Sequence, residues 1–257
     1  MKKYYKLFLF FTESKVLIAT GYPFDNGTKT EIIDVGINYS CPKVMPFPVE
    51  LYEATGGLVN GQPFLCAGYD NTNDHFSKDC YKLTNSGSWA KDDTAALNTA
   101  RRYVYGSVVL QNNLFISGGY NGNRLNTIEM LSPKTVSETL SVTLPEGIYD
   151  HCQISFSSNQ FMVIGGYSGS RKAETYFIDV ETNQLTNGPS LKTARSGHGC
   201  GELEVDGKSF IIVSGGASGL RSTEILDKDN VGQGWQKGKT LKFFLNICLL
   251  DNISLRR

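Results

Sequence analysis

NLFISGGYNGNRLNTIEML, residues 113–131, reads as two short strands joined by a polar loop. The run Leu114-Phe115-Ile116 ends on Gly118-Gly119-Tyr120, and Ile128-Glu129-Met130-Leu131 follows after a loop of Gly, Asn and Arg. β-Branched and aromatic residues bounded by glycine and asparagine are the pattern of a β-hairpin.

The same turn follows an apolar run four more times, as Thr20-Gly21-Tyr22, Ala67-Gly68-Tyr69, Gly165-Gly166-Tyr167 and Gly215-Gly216-Ala217. From Gly21 through Gly68, Gly119, Gly166 and Gly216 the steps are 47, 51, 47 and 50 residues. A further apolar strand follows most turns: Glu31-Ile32-Ile33-Asp34, Glu129-Met130-Leu131-Ser132, Tyr176-Phe177-Ile178-Asp179 and Glu224-Ile225-Leu226-Asp227. Recurrence at a period of tens of residues marks a repeat architecture.

A period of this length with a double glycine after the second strand resembles the kelch repeat, one four-stranded blade of a β-propeller. The resemblance runs from about Lys15 onward. Kelch blades carry an aromatic residue after the third strand; Trp89 and Trp235 stand there, and Leu140 and Leu185 replace it in the third and fourth repeats. Ala67 replaces the first glycine of the second repeat, which predicts a backbone needing neither positive φ nor close approach there.

The expected fold is therefore all-β: a kelch-type propeller over residues 15–257, of about five blades of four antiparallel strands. A truncated six-bladed propeller is the alternative. Residues 15–50 supply only strands two to four of a blade, and residues 244–251 align with a first strand. A C-terminal strand closing the N-terminal blade would leave no open sheet edge. Residues 1–14 form a separate leader-like segment or tail: Lys2, Lys3 and Lys6 precede an apolar core of five residues, shorter than the roughly 7 to 15 of a secretory leader. No apolar run is long enough for a membrane-spanning helix.

The chain of 257 residues carries 25 Lys+Arg against 25 Asp+Glu, so its net charge is zero. That balance excludes the basic footprint of a general nucleic-acid binder. The 27 glycines, spread without a three-residue period, fit many short strands and tight turns.

Six cysteines are present. Cys66 and Cys80 flank one hairpin and are the disulfide candidate, two buried thiols being the alternative. Cys152, Cys200 and Cys248 recur every 48 residues in successive first strands. Small side chains suit a tapering channel, so these are read as packing residues, and no metal is expected despite the adjacent His151 and His198. Three histidines give little material for a copper oxidase centre of the galactose-oxidase type, and no nucleophile–base–acid set or cofactor motif stands out.

Strand direction alternates within a blade, so loops joining strands two and three share a face with loops joining blades. Arg124, Arg171 and Arg221 each lie five residues after the second glycine of a turn. Arg101, Arg102, Tyr103, Tyr149, His151, Arg195 and His198 fall on the same face. Arginine meets carboxylates and phosphates with paired hydrogen bonds, so this face is expected to bind an acidic peptide segment or an anionic glycan. The sequence thus points to a monomeric, non-catalytic protein- or glycan-binding scaffold without a cofactor. A propeller enzyme acting on a sugar, of oxidase or epimerase type, is the runner-up. Asn26, Asn38 and Asn252 match the glycosylation acceptor pattern and, with the candidate disulfide, lean toward a secreted setting. Cytosolic kelch adaptors carry a BTB domain, and the residues before Lys15 are too few to hold one.

Overall fold

A computed structural model describes residues 5–12, 15–22, 28, 30–34, 44–132 and 137–240. Among the described residues twenty-two strands follow in chain order. Strands β1 (Tyr5–Thr12), β2 (Lys15–Tyr22) and β3 (Thr30–Asp34) form the first blade. A miniature strand β4 (Leu51–Tyr52) leads into the second blade, β5 (Thr55–Val59), β6 (Gln62–Cys66), β9 (Cys80–Leu83) and β10 (Trp89–Lys91). Its loop after β6 carries β7 (Tyr69–Asp70) and β8 (His75–Phe76); β7 pairs with β4 on one side and β8 on the other, a small three-stranded sheet. The third blade is β11 (Ser107–Leu110), β12 (Asn113–Ser117), β13 (Thr127–Leu131) and β14 (Glu138–Thr143). The fourth is β15 (Cys152–Ser155), β16 (Gln160–Ile164), β17 (Thr175–Asp179) and β18 (Gln184–Asn187). The fifth is β19 (Gly199–Val205), β20 (Lys208–Ser214), β21 (Thr223–Asp227) and β22 (Gln236–Lys237).

Each blade is a meander of antiparallel neighbours, and the first strands β1, β5, β11, β15 and β19 touch one another in succession. The hydrophobic core is divided into seams between blades. Leu17 and Ile32 of blade one meet Leu65, Tyr81 and Leu83 of blade two; Phe64 and Val59 meet Leu114 and Ile116 of blade three. Phe115 and Ile128 meet Phe161 and Val163, and Met162 and Ile164 meet Ile211 and Val213. A strand with apolar side chains on both faces can be satisfied only between two neighbours, which is why one blade cannot stand alone.

Blade one differs from the expectation at its inner edge. Residues 1–14 are not wholly a separate segment: β1 pairs with β2, from Tyr5 opposite Tyr22 to Thr12 opposite Lys15. β1 holds the place beside β2 that the sequence assigned to the C-terminal strand, residues 244–251, which lie outside the described residues. An apolar run read as a leader also has the composition of an inner strand.

Ala67 is a second correction. Its φ is 64°, in the left-handed region shared by Gly118 at 59°, Gly165 at 60° and Gly215 at 69°. The backbone does need positive φ, and alanine bears it at roughly 1–2 kcal/mol. The next blade also differs where it faces this residue. A Cβ on Gly118 would stand 2.9 Å from His151 Cε1, and one on Gly165 would stand 3.0 Å from His198 Cε1. Facing Ala67, the third blade has Val104 at the matching position, and both lie in one packed seam.

The outer strands missing a tryptophan are present, with Leu140 buried in β14 and Leu185 opposite Ile178 in β18. Where tryptophan occurs it ties blades together: Trp89 Nε1 donates to Thr30 Oγ1 at 3.2 Å, and Trp235 Nε1 to the Pro189 carbonyl at 2.8 Å. Cys66 and Cys80 lie opposite each other on β6 and β9 and are disulfide-bonded, with Cα atoms 4.1 Å apart. Cys152 and Cys200 are also bonded, Cα atoms 6.1 Å apart, and so join the first strands of blades four and five. Packing alone was the reading for that pair. Adjacent first strands converge at the axis closely enough for a bridge. Cys248, Asn26, Asn38 and Asn252 lie outside the described residues.

Candidate functional site

The glycine turns knit the loop face. Gly68 N donates to the Arg101 carbonyl, Gly119 N to that of Ile148 and Gly166 N to that of Arg195, each to the loop that enters the following blade. Two residues further along those entering loops, the loops bond to one another. Asp150 N donates to the Tyr103 carbonyl at 3.1 Å, and Gly197 N to the Asp150 carbonyl at 2.7 Å. Tyr103, Asp150 and Gly197 have φ of 59°, 57° and 57°, and Glu53, entering blade two, also has 57°. A tyrosine held in the left-handed region is strained by roughly 1–2 kcal/mol, and such strain gathers where a side chain must be aimed.

Tyr103 is aimed into a band of half-buried rings that crosses three blades. Tyr69 and Phe76 are edge to face at 5.8 Å, Phe76 reaches Tyr120 at 6.1 Å and Tyr120 reaches Tyr149 at 5.7 Å. Tyr103 stacks on Tyr149 at 5.3 Å, and Tyr149 contacts Tyr167 at 5.4 Å. The Tyr69 hydroxyl donates to Asp74 Oδ1, which holds its pKa above the usual tyrosine value. Burial raises the Tyr149 pKa, with Asp150 adding to the effect, so these rings stay neutral at ordinary pH.

The arginines separate into three kinds. Arg101 and Arg195 are wholly buried. Arg101 donates to the Gly118 carbonyl at 2.7 Å, to Thr127 Oγ1 at 3.1 Å and to Glu129 Oε1. Glu129 in turn accepts from the amides of Asn98 and Thr99. Arg195 repeats the arrangement with Gly215, Ser222 and Glu224 Oε1, the last at 2.7 Å, and Glu224 accepts from the amides of Lys192 and Thr193. These guanidiniums lock an entering loop to the third strand of its own blade and offer nothing to solvent. Blades two and four fill the same place with Leu51 against Tyr81 and Ile148 against Tyr176.

Arg124, Arg171 and Arg221 are exposed on the loop rim. Arg171 Nη2 donates to Ser218 Oγ in the next blade's loop, and Arg124 Nη1 lies 3.9 Å from where a Cβ on Gly169 would stand. Arg171 thus reaches across a blade seam, and Arg124 leans toward the next blade's loop. Arg102 is the third kind: its backbone pairs with Tyr120 in both directions at 2.9 Å, and its side chain enters the ring band.

The histidines are interior. His151 is fully buried with Nε2 3.0 Å from Ser117 Oγ, and Ser117 also donates to Gln153 Oε1 at 2.5 Å. Burial, helped by nearby Arg101, pushes the His151 pKa down to about 4. Burial, with Arg195 and His151 adding, pushes His198 down to about 3. Both are neutral packing groups at pH 7. Of the ten residues expected on the face, Arg101, Arg195, His151 and His198 are therefore inside; Arg102, Tyr103 and Tyr149 are brought together. Sequence reasoning missed Tyr69, Phe76, Tyr120 and Tyr167. For the three tyrosines the signal was available in their place directly after Gly68, Gly119 and Gly166; Phe76 carried no such mark. Among the described residues no group of three or more His, Cys, Asp and Glu is placed to hold a metal ion, and no helix is long and apolar enough to cross a membrane.

Comparison with known proteins agrees with this architecture. The family model described as the Kelch motif matches residues 101–135. The chain is 26% identical over 140 residues to "Kelch repeat and BTB domain-containing protein 2" of Ectromelia virus (strain Moscow), a match covering 52% of this chain and 24% of that protein. The chain thus spans about a quarter of that relative's length. A solved structure titled "Structure of YjhT" superposes with a TM-score of 0.74 at 14% identity, covering 94% of this chain and 85% of that one, a likeness of fold.

Proposed function

The chain is a kelch-repeat protein built as a β-propeller, and from that premise we propose that it is a binding scaffold whose loop face holds a protein partner. Kelch repeats generally mediate protein interactions. The observation that carries the reading is the band of rings from Tyr69 and Phe76 through Tyr120, Tyr103 and Tyr149 to Tyr167. Tyrosine supplies large contact area with few rotatable bonds and a polar tip, and with arginine it dominates the energetics of protein interfaces. Here the rings are pinned by backbone bonds between Tyr120 and Arg102 and between Tyr167 and Tyr149, so little freedom remains to be lost on binding.

The test is capture and identification of a partner by the purified protein, followed by titration of that purified partner. Tyr103→Ser with Tyr149→Ser should weaken binding by about thirtyfold, about 2 kcal/mol. Asp206→Lys, in the hairpin turn between β19 and β20 at the opposite end of the blade, should leave it unchanged. Equal binding by the tyrosine variant, with its thermal midpoint intact, would move the partner off this face.

A further inference from the structure

We infer that residues 241–257 of this chain dock on the far face of blade five, which the described residues leave open. In blades one to four the side chain four residues before the second turn glycine faces the next blade. Leu17, Phe64, Phe115 and Met162 hold that place, and each is buried in the seam beyond its own blade. Ile212 stands there in blade five and is only half-buried. Its cross-strand neighbour Ile225 is half-buried too, as are Leu203 and Phe210, which face each other two residues further along. Val205, on the same face of β19, is 45% exposed. None of these five belongs to a core cluster, and among the described residues no cluster joins blade five to blade one. An apolar face of this kind marks a site of interaction.

The path of the chain identifies the occupant. At the end of blade four, Gly188 N donates to the Thr175 carbonyl at 2.8 Å, and Thr175 Oγ1 donates to the Pro189 carbonyl at 3.0 Å. This clasp releases the chain into the next seam through Ser190-Leu191-Lys192, where Leu191 is buried with Ile211 and Val213. The clasp recurs at the end of blade five: Gly238 N donates to the Thr223 carbonyl at 2.9 Å, and Thr223 Oγ1 to the Lys239 carbonyl at 2.6 Å. Thr240-Leu241-Lys242 follows it, so the chain leaves blade five as it leaves blade four, toward the face that carries Ile212. Next come Phe243, Phe244, Leu245, Ile247, Leu249 and Leu250, an apolar run suited to an uncovered apolar face. At about 3.3 Å per extended residue, residues 241–250 reach past the length of the seven-residue β19. β1 already holds the place beside β2, so this run is not needed there. A seam filled by the chain's own segment is closed to a second copy.

The test places a benzophenone amino acid at Val205 of the full chain, an exposed position that accepts bulk. The purified protein is irradiated, and crosslinked peptides are mapped by mass spectrometry. The expected product is a monomer on a denaturing gel, crosslinked within residues 241–257. A crosslinked dimer overturns the inference in favour of a second copy on this face. A monomer without a crosslink to residues 241–257 overturns it as well. A second measurement uses Leu249→Asp with Leu250→Asp in the full chain. Hydroxyl-radical labelling of Phe210 should rise severalfold, while Phe115, sealed between blades three and four, stays protected. Unchanged labelling of Phe210 overturns the inference. If Phe115 is labelled too, the variant has lost its fold, and the crosslink decides.

Discussion

Arg101 and Glu129 form an ion pair from which solvent is wholly excluded, both side chains being 0% exposed. Removing two charges from water is expensive, and the pair is sustained by additional donors to the carboxylate from the Asn98 and Thr99 amides. Glu129→Ala should destabilise the protein by about 3–5 kcal/mol in urea unfolding, because it strands a buried cation and two amides. Arg101→Met with Glu129→Leu should recover much of that loss, since blades two and four manage with apolar and aromatic residues. A cost under about 1 kcal/mol for Glu129→Ala would show that water reaches the site.

Acid should loosen the seams. His151 and His198 have folded-state pKa values of about 4 and about 3 against an ordinary 6.5. Below 6.5 the unfolded chain therefore binds protons that the folded one refuses. The contribution is fully present above pH 6.5 and is lost as pH falls toward 4 and 3, at up to about 1.4 kcal/mol per unit for each histidine. The urea midpoint should drop steadily from pH 7 to 4.5, and more gently in His151→Gln. An unchanged slope in that variant would mean another group governs the acid response.

The Cys152–Cys200 bridge closes a loop across a blade boundary. Cys200→Ser should cost about 2–4 kcal/mol, the usual range for a bridge closing a loop of this order. Amide exchange should rise first in residues 199–240, the fifth blade, with residues 107–131 little changed. A uniform rise would show that blades four and five unfold as one unit with the rest.

Gly118→Ala places a Cβ 2.4 Å from the Ile148 carbonyl oxygen and 2.9 Å from His151, at a φ of 59°. It should lower stability by about 2–3 kcal/mol. Adding His151→Val should restore part of the loss, reproducing the Ala67–Val104 pairing found one seam earlier. No recovery would place the whole penalty in the clash with the backbone.

The repeat, the blade order and the positions of the glycine turns were legible because each rests on local chemistry: a β-branched run, then residues able to adopt positive φ. The place of β1 was not, since five apolar residues after lysines fit a leader and an inner strand equally well. Arg101 and Arg195 were placed on the face because residue type was read without its partner. Glu129 and Glu224 sit in apolar strands, and each occurs in the repeat whose entering loop carries Arg101 or Arg195. A carboxylate amid apolar neighbours, matched to an arginine about one strand-pair earlier, is a readable sign of a buried pair. Arg102 differs from Arg101 by a single position, yet one side chain is wholly buried and the other lies among the rings.

Glu53, Tyr103, Asp150 and Gly197 share one left-handed backbone conformation at matching points of four blades, yet their side chains are an acid, a ring, an acid and nothing. Main-chain bonds join three of these loops, from Asp150 N to the Tyr103 carbonyl and from Gly197 N to the Asp150 carbonyl. These four sites therefore behave as interchangeable sockets on a constant frame. A library randomised only at 53, 103, 150 and 197 would vary the side chains of the loop face while keeping its backbone bonds, and the same route lies open to natural drift. The side chains of this face can change faster than its architecture.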